Sequence, residues 1–301
     1  MSRNTSYTIC IMLVLICGLI IHDNSFAHKA VAVSDPIKSS LVVDMKTGKI
    51  LHAQNAKAKI NPASLAKVMT LYLIFESIES GKLSLTQKLY VSKHAEQMQP
   101  SKLGLKAGEY ITVRDVILAL IVKSANDGAA VAAENIAGSE AKFARMMNRR
   151  AKQLGMHDTN FTNASGWHDP AQKTTAVDLA KLAIAIKRDF PKFYHLFSKT
   201  SFSFRGQVIS GHNHVTANYQ WSEGLKTGYT RPAGFNLITT ASRNNKAVVG
   251  VITGGKSAAI RDKQMVSLLD QHLGVIKIKN KKSTTVHSSS KSKSNKKLVR
   301  S

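Results

Sequence analysis

Three short motifs place hydroxyl, amine and amide side chains at spacings suited to nucleophilic catalysis: Ser64-Leu-Ala-Lys67, Ser124-Ala-Asn126 and Lys226-Thr-Gly228. A serine hydroxyl is a weak nucleophile unless a neighbouring base accepts its proton. A lysine can be that base when burial and nearby positive charge lower its pKa. On a helix, Ser64 and Lys67 lie on one face, about one turn apart. The motifs therefore predict a serine hydrolase in which Lys67 activates Ser64.

The other motif residues supply the remaining parts of this chemistry. We expect Lys226 to lower the pKa of Lys67 through its charge and to attract a substrate carboxylate. Ser124 would relay a proton to the departing amine, and Asn126 would orient Lys67 and bind a substrate amide. Backbone N–H groups near Ser64 and Tyr229 would form an oxyanion hole, worth about 3–4 kcal/mol per donor in serine hydrolases. The predicted catalytic residues are Ser64, Lys67, Ser124 and Asn126, and the predicted substrate-binding residues are Lys226, Thr227, Gly228 and Tyr229.

Each motif has further copies, so sequence context must choose among them. The copies begin at Ser139, Ser288, Ser290, Ser242 and Lys46. Only Ser64 opens a long amphipathic helical pattern, whereas Ser139 begins a segment that we interpret as lacking a buried apolar flank. Lys46 lies at the tip of a predicted hairpin, where glycine has an ordinary turn role. Lys226 instead leads into an extended stretch whose Gly228 would let a ligand approach the backbone.

The elements that must position these motifs alternate in type along the chain. Strand patterns at 40–44 and 49–52 flank a turn, and helical patterns follow at 63–81, 114–123, 128–137, 141–154 and 177–187. Strands at 235–241 and 247–253 join through a turn at Asn244 and Asn245, and a terminal helix spans 257–273. Strands at both ends with helices between them predict an α+β fold with a helical insertion.

The amino terminus has the pattern of an export signal. Arg3 precedes an apolar run over 9–21, three polar residues follow at 22–24, and the segment exits through Ser25, Phe26 and Ala27. This pattern predicts a signal peptide at 1–27, cleaved near Ala27, and a periplasmic or cell-envelope location. An uncleaved anchor is the alternative, although the run is short for a membrane span. The two cysteines, Cys10 and Cys17, both lie in this segment, so we expect no disulfide in the mature chain.

Charge is strongly biased toward positive side chains. The chain has 43 Lys and Arg residues against 18 Asp and Glu residues, and 277–301 contains nine basic residues and no acidic one. We predict a catalytic domain at 28–276 and a disordered basic tail at 277–301. The domain alone keeps a formal charge of +16, which indicates an anionic partner. Outside the cytoplasm, wall carboxylates or acidic lipid headgroups fit better than nucleic acid. The tail would contribute about 1 kcal/mol per basic residue at such a surface, unless it is only a solvated spacer.

No metal site or cofactor is indicated. His212 and His214 flank Asn213 without further ligands at useful spacing. We interpret both as surface histidines.

The three motifs together resemble the signature of the penicillin-recognising serine enzymes. Segments 61–70 and 224–230 are similar to the low-molecular-mass D-alanyl-D-alanine carboxypeptidases, and segments 155–166 and 175–178 to the helical insertion of that family. The resemblance covers about residues 34–273. It implies a DD-peptidase/β-lactamase-like fold, with an antiparallel five-stranded sheet flanked by helices, an all-helical lobe and a cleft between them. It also implies removal of the terminal D-alanine from peptidoglycan stem peptides ending in D-Ala-D-Ala, through an acyl-enzyme on Ser64, with β-lactam antibiotics as covalent inhibitors.

Other activities remain open within this resemblance. Many relatives have histidine where this chain has Tyr229, which bears on substrate preference or rate. A DD-endopeptidase that cleaves cross-links uses the same residues, and a catalytically inactive wall-binding protein would keep the fold. A class A β-lactamase needs a glutamate between the second and third motifs. The glutamates there lack the ExxLN setting of that enzyme, so we expect penicillin to remain bound to Ser64: Glu134, Glu140 and Glu223.

Overall fold

The computed structural model describes residues 37–275. The predicted signal peptide at 1–27 and basic tail at 277–301 lie outside the described residues and stay predictions, as do the outer limits of the catalytic domain. Within 37–275, no helix is both long and apolar enough to cross a bilayer.

A five-stranded antiparallel sheet forms the centre of the fold. Its strands run in the order β2-β1-β9-β8-β7, so the two ends of the described chain pair with each other at β1 and β9. Strand β7 is one edge of the sheet and pairs only with β8 within it. The strands are β1 (Ser39–Asp44), β2 (Ile50–Gln54), β7 (Ser222–Thr230), β8 (Gly234–Arg243) and β9 (Lys246–Gly255), and two separate hairpins consist of β3 (Lys88–Tyr90) with β4 (Tyr110–Thr112) and β5 (Ser201–Phe204) with β6 (Gln207–Ser210).

Helices cover both faces of the sheet and build a lobe beside it. The helices are α1 (Lys67–Glu79), α2 (Lys93–Glu96), α3 (Val113–Leu118), α4 (Asn126–Ala137), α5 (Glu140–Gln153), α6 (Ala176–Asp189), α7 (Pro191–Tyr194), α8 (His214–Asn218) and α9 (Ala258–Leu273). A 3-10 turn, Ala63–Ala66, precedes α1, and a π-helical turn, Ala119–Lys123, follows α3.

Strand alternation divides the core between the two faces of the sheet. On β9, Val248 and Ile252 pack in a cluster with Met265 and Leu269 of α9. Val249 and Val251 point to the opposite face and join the larger cluster that contains α1 and α6. Because side chains alternate along a strand and both faces are covered, β9 lacks polar side chains at every position of 247–252 rather than at every second one.

The predicted α+β architecture with a five-stranded antiparallel sheet and helices is confirmed. The predicted helix at 63–81 begins as the 3-10 turn and ends at Glu79, and the turn at Asn244 and Asn245 joins β8 to β9. The two small hairpins were not predicted, because three or four residues carry too little alternation to be distinguished from loops.

One argument from the sequence is wrong. The segment after Ser139 does have a buried apolar face, since α5 buries Phe143, Ala144, Met147 and Ala151. The Ser139 hydroxyl accepts a hydrogen bond from the Lys142 N–H as the helix cap, so this copy of the motif has a structural role of its own.

Candidate active site

Ser64 lies where the chain turns into α1. The Asn61 Oδ1 atom accepts a hydrogen bond from the Ala63 N–H at 2.9 Å, and Ala63 itself has φ of 50°. This bend presents the side chain of Ser64 to a cleft while Ala63, Leu65 and Ala66 are buried. A helix start also concentrates partial positive charge from its unpaired N–H groups, which favours negative charge that develops nearby.

Lys67, the first residue of α1, is fully buried next to Ser64. Its Nζ donates to three oxygens: Ser64 Oγ at 3.1 Å, Asn126 Oδ1 at 2.7 Å and the Ser165 carbonyl at 2.6 Å. Burial, followed by the charge of Lys226, lowers the pKa of Lys67 well below its ordinary value, and the carboxylates of Asp127 and Glu140 oppose that change. The amine therefore has the contact and the direction of pKa change that a base for Ser64 requires.

The second motif enters the cleft through a break in helical structure. The π-helical turn ends at Ser124, which has φ of 62°, and α4 starts at Asn126. The Asn126 Nδ2 atom donates to the carbonyl oxygens of Gln99 at 2.8 Å and Pro100 at 3.1 Å. With its two N–H bonds satisfied on that side, the amide must direct its oxygen toward Lys67.

The third motif lies on β7, the edge strand that faces the cleft. The Lys226 Nζ atom donates to Ser124 Oγ at 3.0 Å and to the Thr227 carbonyl at 3.0 Å. Burial, with a smaller effect from the charge of Arg261, lowers the pKa of Lys226 to about 7. Lys226 and Ser124 thus form one hydrogen-bonded pair, and Lys67 forms a separate hydrogen-bonded group with Ser64 and Asn126.

Two glycines allow the backbones around Ser64 to approach closely. Gly166 has φ of 79°, and a Cβ atom there would lie 1.8 Å from the carbonyl oxygen of Ala63. A Cβ at Gly228 would lie 3.1 Å from the backbone nitrogens of both Ser64 and Leu65. A side chain at position 228 would therefore crowd this backbone, because β7 passes directly against the segment that holds Ser64.

These residues surround a cleft of about 560 Å³. Ser64, Ser124, Asn126, Thr227, Gly228 and Tyr229 line its wall, while Lys67 and Lys226 are buried below. Tyr229 is 53% exposed, and its ring packs on Phe235 with 4.3 Å between ring centroids. The structure brings together all eight residues that the sequence singled out; their individual roles stay predictions.

Three residues at or next to the cleft were not found from the sequence. Ser165 contributes a carbonyl oxygen, which has no sequence signal. Trp167 lines the cleft and is 43% exposed. Its position in a polar segment is the only sequence signal for that exposure. His212, predicted to be a surface histidine, is exposed and lines the cleft as well. Partial desolvation of its ring, together with nearby cations that include Lys226, lowers the pKa of His212 to about 4.

The glutamates between the second and third motifs are engaged away from the cleft wall. Glu134 and Glu140 both contact His94, and Glu223 pairs with Lys187. None of the three lines the cleft. Across the described part of the chain, no group of three or more His, Cys, Asp or Glu residues is arranged to hold a metal ion.

Sequence comparison connects this geometry to known proteins. The D-alanyl-D-alanine carboxypeptidase family, peptidase S11, matches residues 27–257. The D-alanyl-D-alanine carboxypeptidase DacF of Bacillus subtilis is 31% identical over 252 residues, covering 82% of this chain and 63% of the relative. DacD of Escherichia coli, a carboxypeptidase of the same description, is 36% identical over 238 residues, covering 77% and 61%. A D-alanyl-D-alanine endopeptidase of Pseudomonas aeruginosa is 30% identical over 238 residues and is covered to 74%, as is this chain. The chain spans about three fifths of the length of the carboxypeptidases.

Solved structures show the same fold. Penicillin-binding protein 5 of Haemophilus influenzae superposes with a TM-score of 0.76 at 30% identity, covering 78% of this chain and 70% of that protein. Penicillin-binding protein D2 of Listeria monocytogenes in its ampicillin-bound form superposes with a TM-score of 0.70 at 29% identity, covering 80% and 98%. This chain belongs to the peptidase S11 family of D-alanyl-D-alanine carboxypeptidases.

Proposed function

We propose that the chain is a serine-type D-Ala-D-Ala carboxypeptidase that removes the terminal D-alanine from peptidoglycan stem peptides. The observation that carries the proposal is the contact between Lys67 Nζ and Ser64 Oγ at 3.1 Å, made by an amine whose pKa is lowered by burial. A neutral amine at that position can accept the hydroxyl proton. Membership of the family supplies the substrate class.

In the acylation step, the proton of Ser64 moves to Lys67 as Oγ attacks the carbonyl carbon of the penultimate D-alanine. The carbonyl oxygen takes up negative charge, which backbone N–H groups at Ser64 and Tyr229 would stabilise. Collapse of this intermediate breaks the C–N bond. The departing amine needs a proton, and Ser124 is suited to relay it because its Oγ accepts from Lys226 Nζ at 3.0 Å. Free D-alanine leaves, and the rest of the peptide remains as an ester of Ser64.

Charge in the cleft fits a substrate that ends in a carboxylate. Lys102 and Lys123 are among the lining residues, and no Asp or Glu is found among them. Below the wall, Lys226 and the buried guanidinium of Arg261 add positive potential. A carboxylate at the leaving-group end of the substrate would stabilise the protonated form of Lys226, and the resulting ion pair would strengthen substrate binding.

Hydrolysis of the ester must proceed without a glutamate beside Ser64. None of Glu134, Glu140 and Glu223 lines the cleft, so no carboxylate on that segment is positioned to activate water in the way a class A β-lactamase requires. We therefore expect β-lactams to acylate Ser64 and to remain bound. The likeness to a penicillin-binding protein solved with ampicillin supports this part of the proposal.

The test uses one substrate and one covalent label. The purified protein is incubated with a pentapeptide muropeptide, and free D-alanine is measured. Fluorescent penicillin should label the wild type, whereas Ser64→Ala should be neither labelled nor active. Labelling that persists in Ser64→Ala would exclude Ser64 as the nucleophile, and an unlabelled, inactive wild type would favour a wall-binding protein without catalysis.

A DD-endopeptidase is the second candidate. The endopeptidase of Pseudomonas aeruginosa is covered over 74% of its length, a larger share than the carboxypeptidases are. Both activities break the bond on the carboxyl side of a D-alanine and differ in the leaving group. Incubation with a cross-linked dimer separates them, because release of monomer without free D-alanine would make the endopeptidase the correct assignment.

We also propose that the protein acts outside the cytoplasm, in the cell envelope. The support is the signal-like pattern at 1–27 and the location of peptidoglycan. N-terminal sequencing of the protein recovered from envelope fractions tests this, and a mature chain that begins at His28 is expected. An uncleaved Met1 in a membrane fraction would indicate an anchor instead.

A further inference from the structure

Helix α5 carries a row of basic side chains on the face opposite the core. They are separated by three, four and three residues, which places them on one side of a helix, and all four are exposed: Lys142, Arg145, Arg149 and Lys152. The buried residues of the same helix lie on the other side: Phe143, Ala144, Met147 and Ala151. We call the first set the α5 cationic face.

Within residues 37–275, no member of the α5 cationic face takes part in an ion pair. The neighbouring Arg150 points to the side and pairs with Glu76. The only acidic residue of α5, Glu140, accepts a hydrogen bond from the Ala164 N–H. Like charges three and four residues apart destabilise a helix. The helix dipole favours Lys152, which lies in the last turn, but not the other three members of the row, whereas an anionic partner would account for all four.

The shape of the row favours a linear partner over a membrane. Ten residues of helix separate Lys142 from Lys152, a distance of about 15 Å at about 1.5 Å per residue, and the row is one side chain wide. A membrane-surface helix places its apolar face in the lipid. The apolar face of α5 is already buried, and no large exposed hydrophobic side chain of the described chain lies on α5.

The row is also joined to the active site. Glu140, at the start of α5, holds the backbone of Ala164 at 3.0 Å, and the next residue, Ser165, gives its carbonyl oxygen to Lys67. A polymer that lies along α5 is therefore held by the same lobe that forms one side of the cleft.

We propose that the α5 cationic face binds the carboxylates of a peptidoglycan strand and keeps the polymer beside the cleft as its stem peptides enter. This inference rests on the proposed function, because it takes peptidoglycan to be the substrate. It adds a second contact with the polymer, distinct from the groups that touch the scissile bond.

Co-sedimentation of the full chain with purified peptidoglycan sacculi tests the proposal. The test variant is Lys142→Gln/Arg145→Gln/Arg149→Gln/Lys152→Gln. The control variant, Lys46→Gln/Lys49→Gln/Lys82→Gln/Lys88→Gln, removes the same charge from exposed residues on other elements. A third variant exchanges Lys and Arg within the α5 cationic face and keeps its charge. All are also assayed on a small soluble pentapeptide, and for binding to vesicles that contain anionic phospholipid.

We expect the test variant to bind sacculi about tenfold or more weakly than the wild type at about 0.05 M salt, with the difference lost near about 0.5 M. The control and the charge-keeping variant should bind like the wild type, and turnover of the soluble peptide should be unchanged in all. Equal binding by wild type and test variant, or equal loss in the control, overturns the proposal. Loss of vesicle binding alone would make a membrane the partner. Failure on the soluble peptide by every protein would instead overturn the proposed function.

Discussion

Replacing Lys226 by methionine should make the protein more stable and less active, because the fold buries an amine that water would protonate. The pKa of Lys226 falls from 10.5 to about 7. Each pKa unit corresponds to about 1.4 kcal/mol, so below about pH 7 this burial opposes folding by about 5 kcal/mol. The hydrogen bonds from Lys226 to Ser124 and Thr227, which methionine cannot make, offset part of this unfavourable free energy by about 1 kcal/mol each.

The sign of the pH dependence follows from proton binding. Between about pH 7 and 10.5 the unfolded chain holds a proton on Lys226 that the folded protein lacks, so raising the pH stabilises the fold. Because Lys226 is still half protonated in the folded protein at about pH 7, the wild type should gain about 2 kcal/mol relative to Lys226→Met between about pH 7 and pH 9. Methionine keeps the length of the side chain without its charge.

Urea unfolding at both pH values measures this difference, and Lys82→Met provides the control because Lys82 is exposed. We expect Lys226→Met to be more stable than the wild type near neutral pH, with the gap narrowing at the higher pH, while Lys82→Met shows no such change. A gap that stays constant with pH would refute the view that Lys226 titrates near neutrality. A variant less stable at every pH would show that the polar contacts outweigh the burial of the amine.

Three further predictions concern the site. KM for a peptide with a free terminal carboxylate should rise as pH increases through about 7, because neutral Lys226 no longer attracts it; the same peptide with an amidated end is the control and should show no rise. Gly166→Ala should lose about 2–3 kcal/mol of stability, measured by urea unfolding, and should be acylated more slowly by penicillin, measured by the labelling rate. Gly155→Ala is the control, because Gly155 has a similar φ but open space around it, and it should keep its acylation rate. Asp127→Asn removes a carboxylate that raises the pKa of Lys67, so the fall of the acylation rate on the acid side of its pH profile should move to lower pH. A pH profile that does not move would show that Lys67 is not the titrating base.

The sequence was enough to select candidate reacting groups that the fold brings together, because their spacing has a direct structural meaning. Ser64 and Lys67 share a face at the start of α1, and the Nζ to Oγ contact follows from that spacing. The approach of Lys226 to Ser124, 102 residues apart, could be expected only from the joint presence of the motifs. This approach depends on β7 being the edge strand next to the segment that holds Ser64, whereas the sequence indicated only an extended stretch after Lys226.

Backbone groups and close approaches were beyond reach from the sequence. The Ser165 carbonyl is 2.6 Å from Lys67, yet any residue type supplies a carbonyl. The need for glycine at 166 appears only when the Ala63 carbonyl is in place beside it. The buried face of α5 was missed because Phe143 and Met147 alternate with many basic residues, which reduced the apparent hydrophobicity of the segment without altering its period.

The arrangement of the two lysines explains how a base is obtained without a histidine or a carboxylate. Every hydrogen-bond acceptor of Lys67 is uncharged: a hydroxyl, an amide oxygen and a carbonyl. An aspartate in place of Asn126 would keep an oxygen 2.7 Å from Nζ but would add a negative charge that restores the ammonium form. It would also lose the two N–H bonds to Gln99 and Pro100. An amide therefore orients the amine without opposing the effect of burial and of Lys226, which lower the pKa of Lys67. The role of Lys67 as a base depends on that lowered pKa, and the burial of both amines that produces it costs stability.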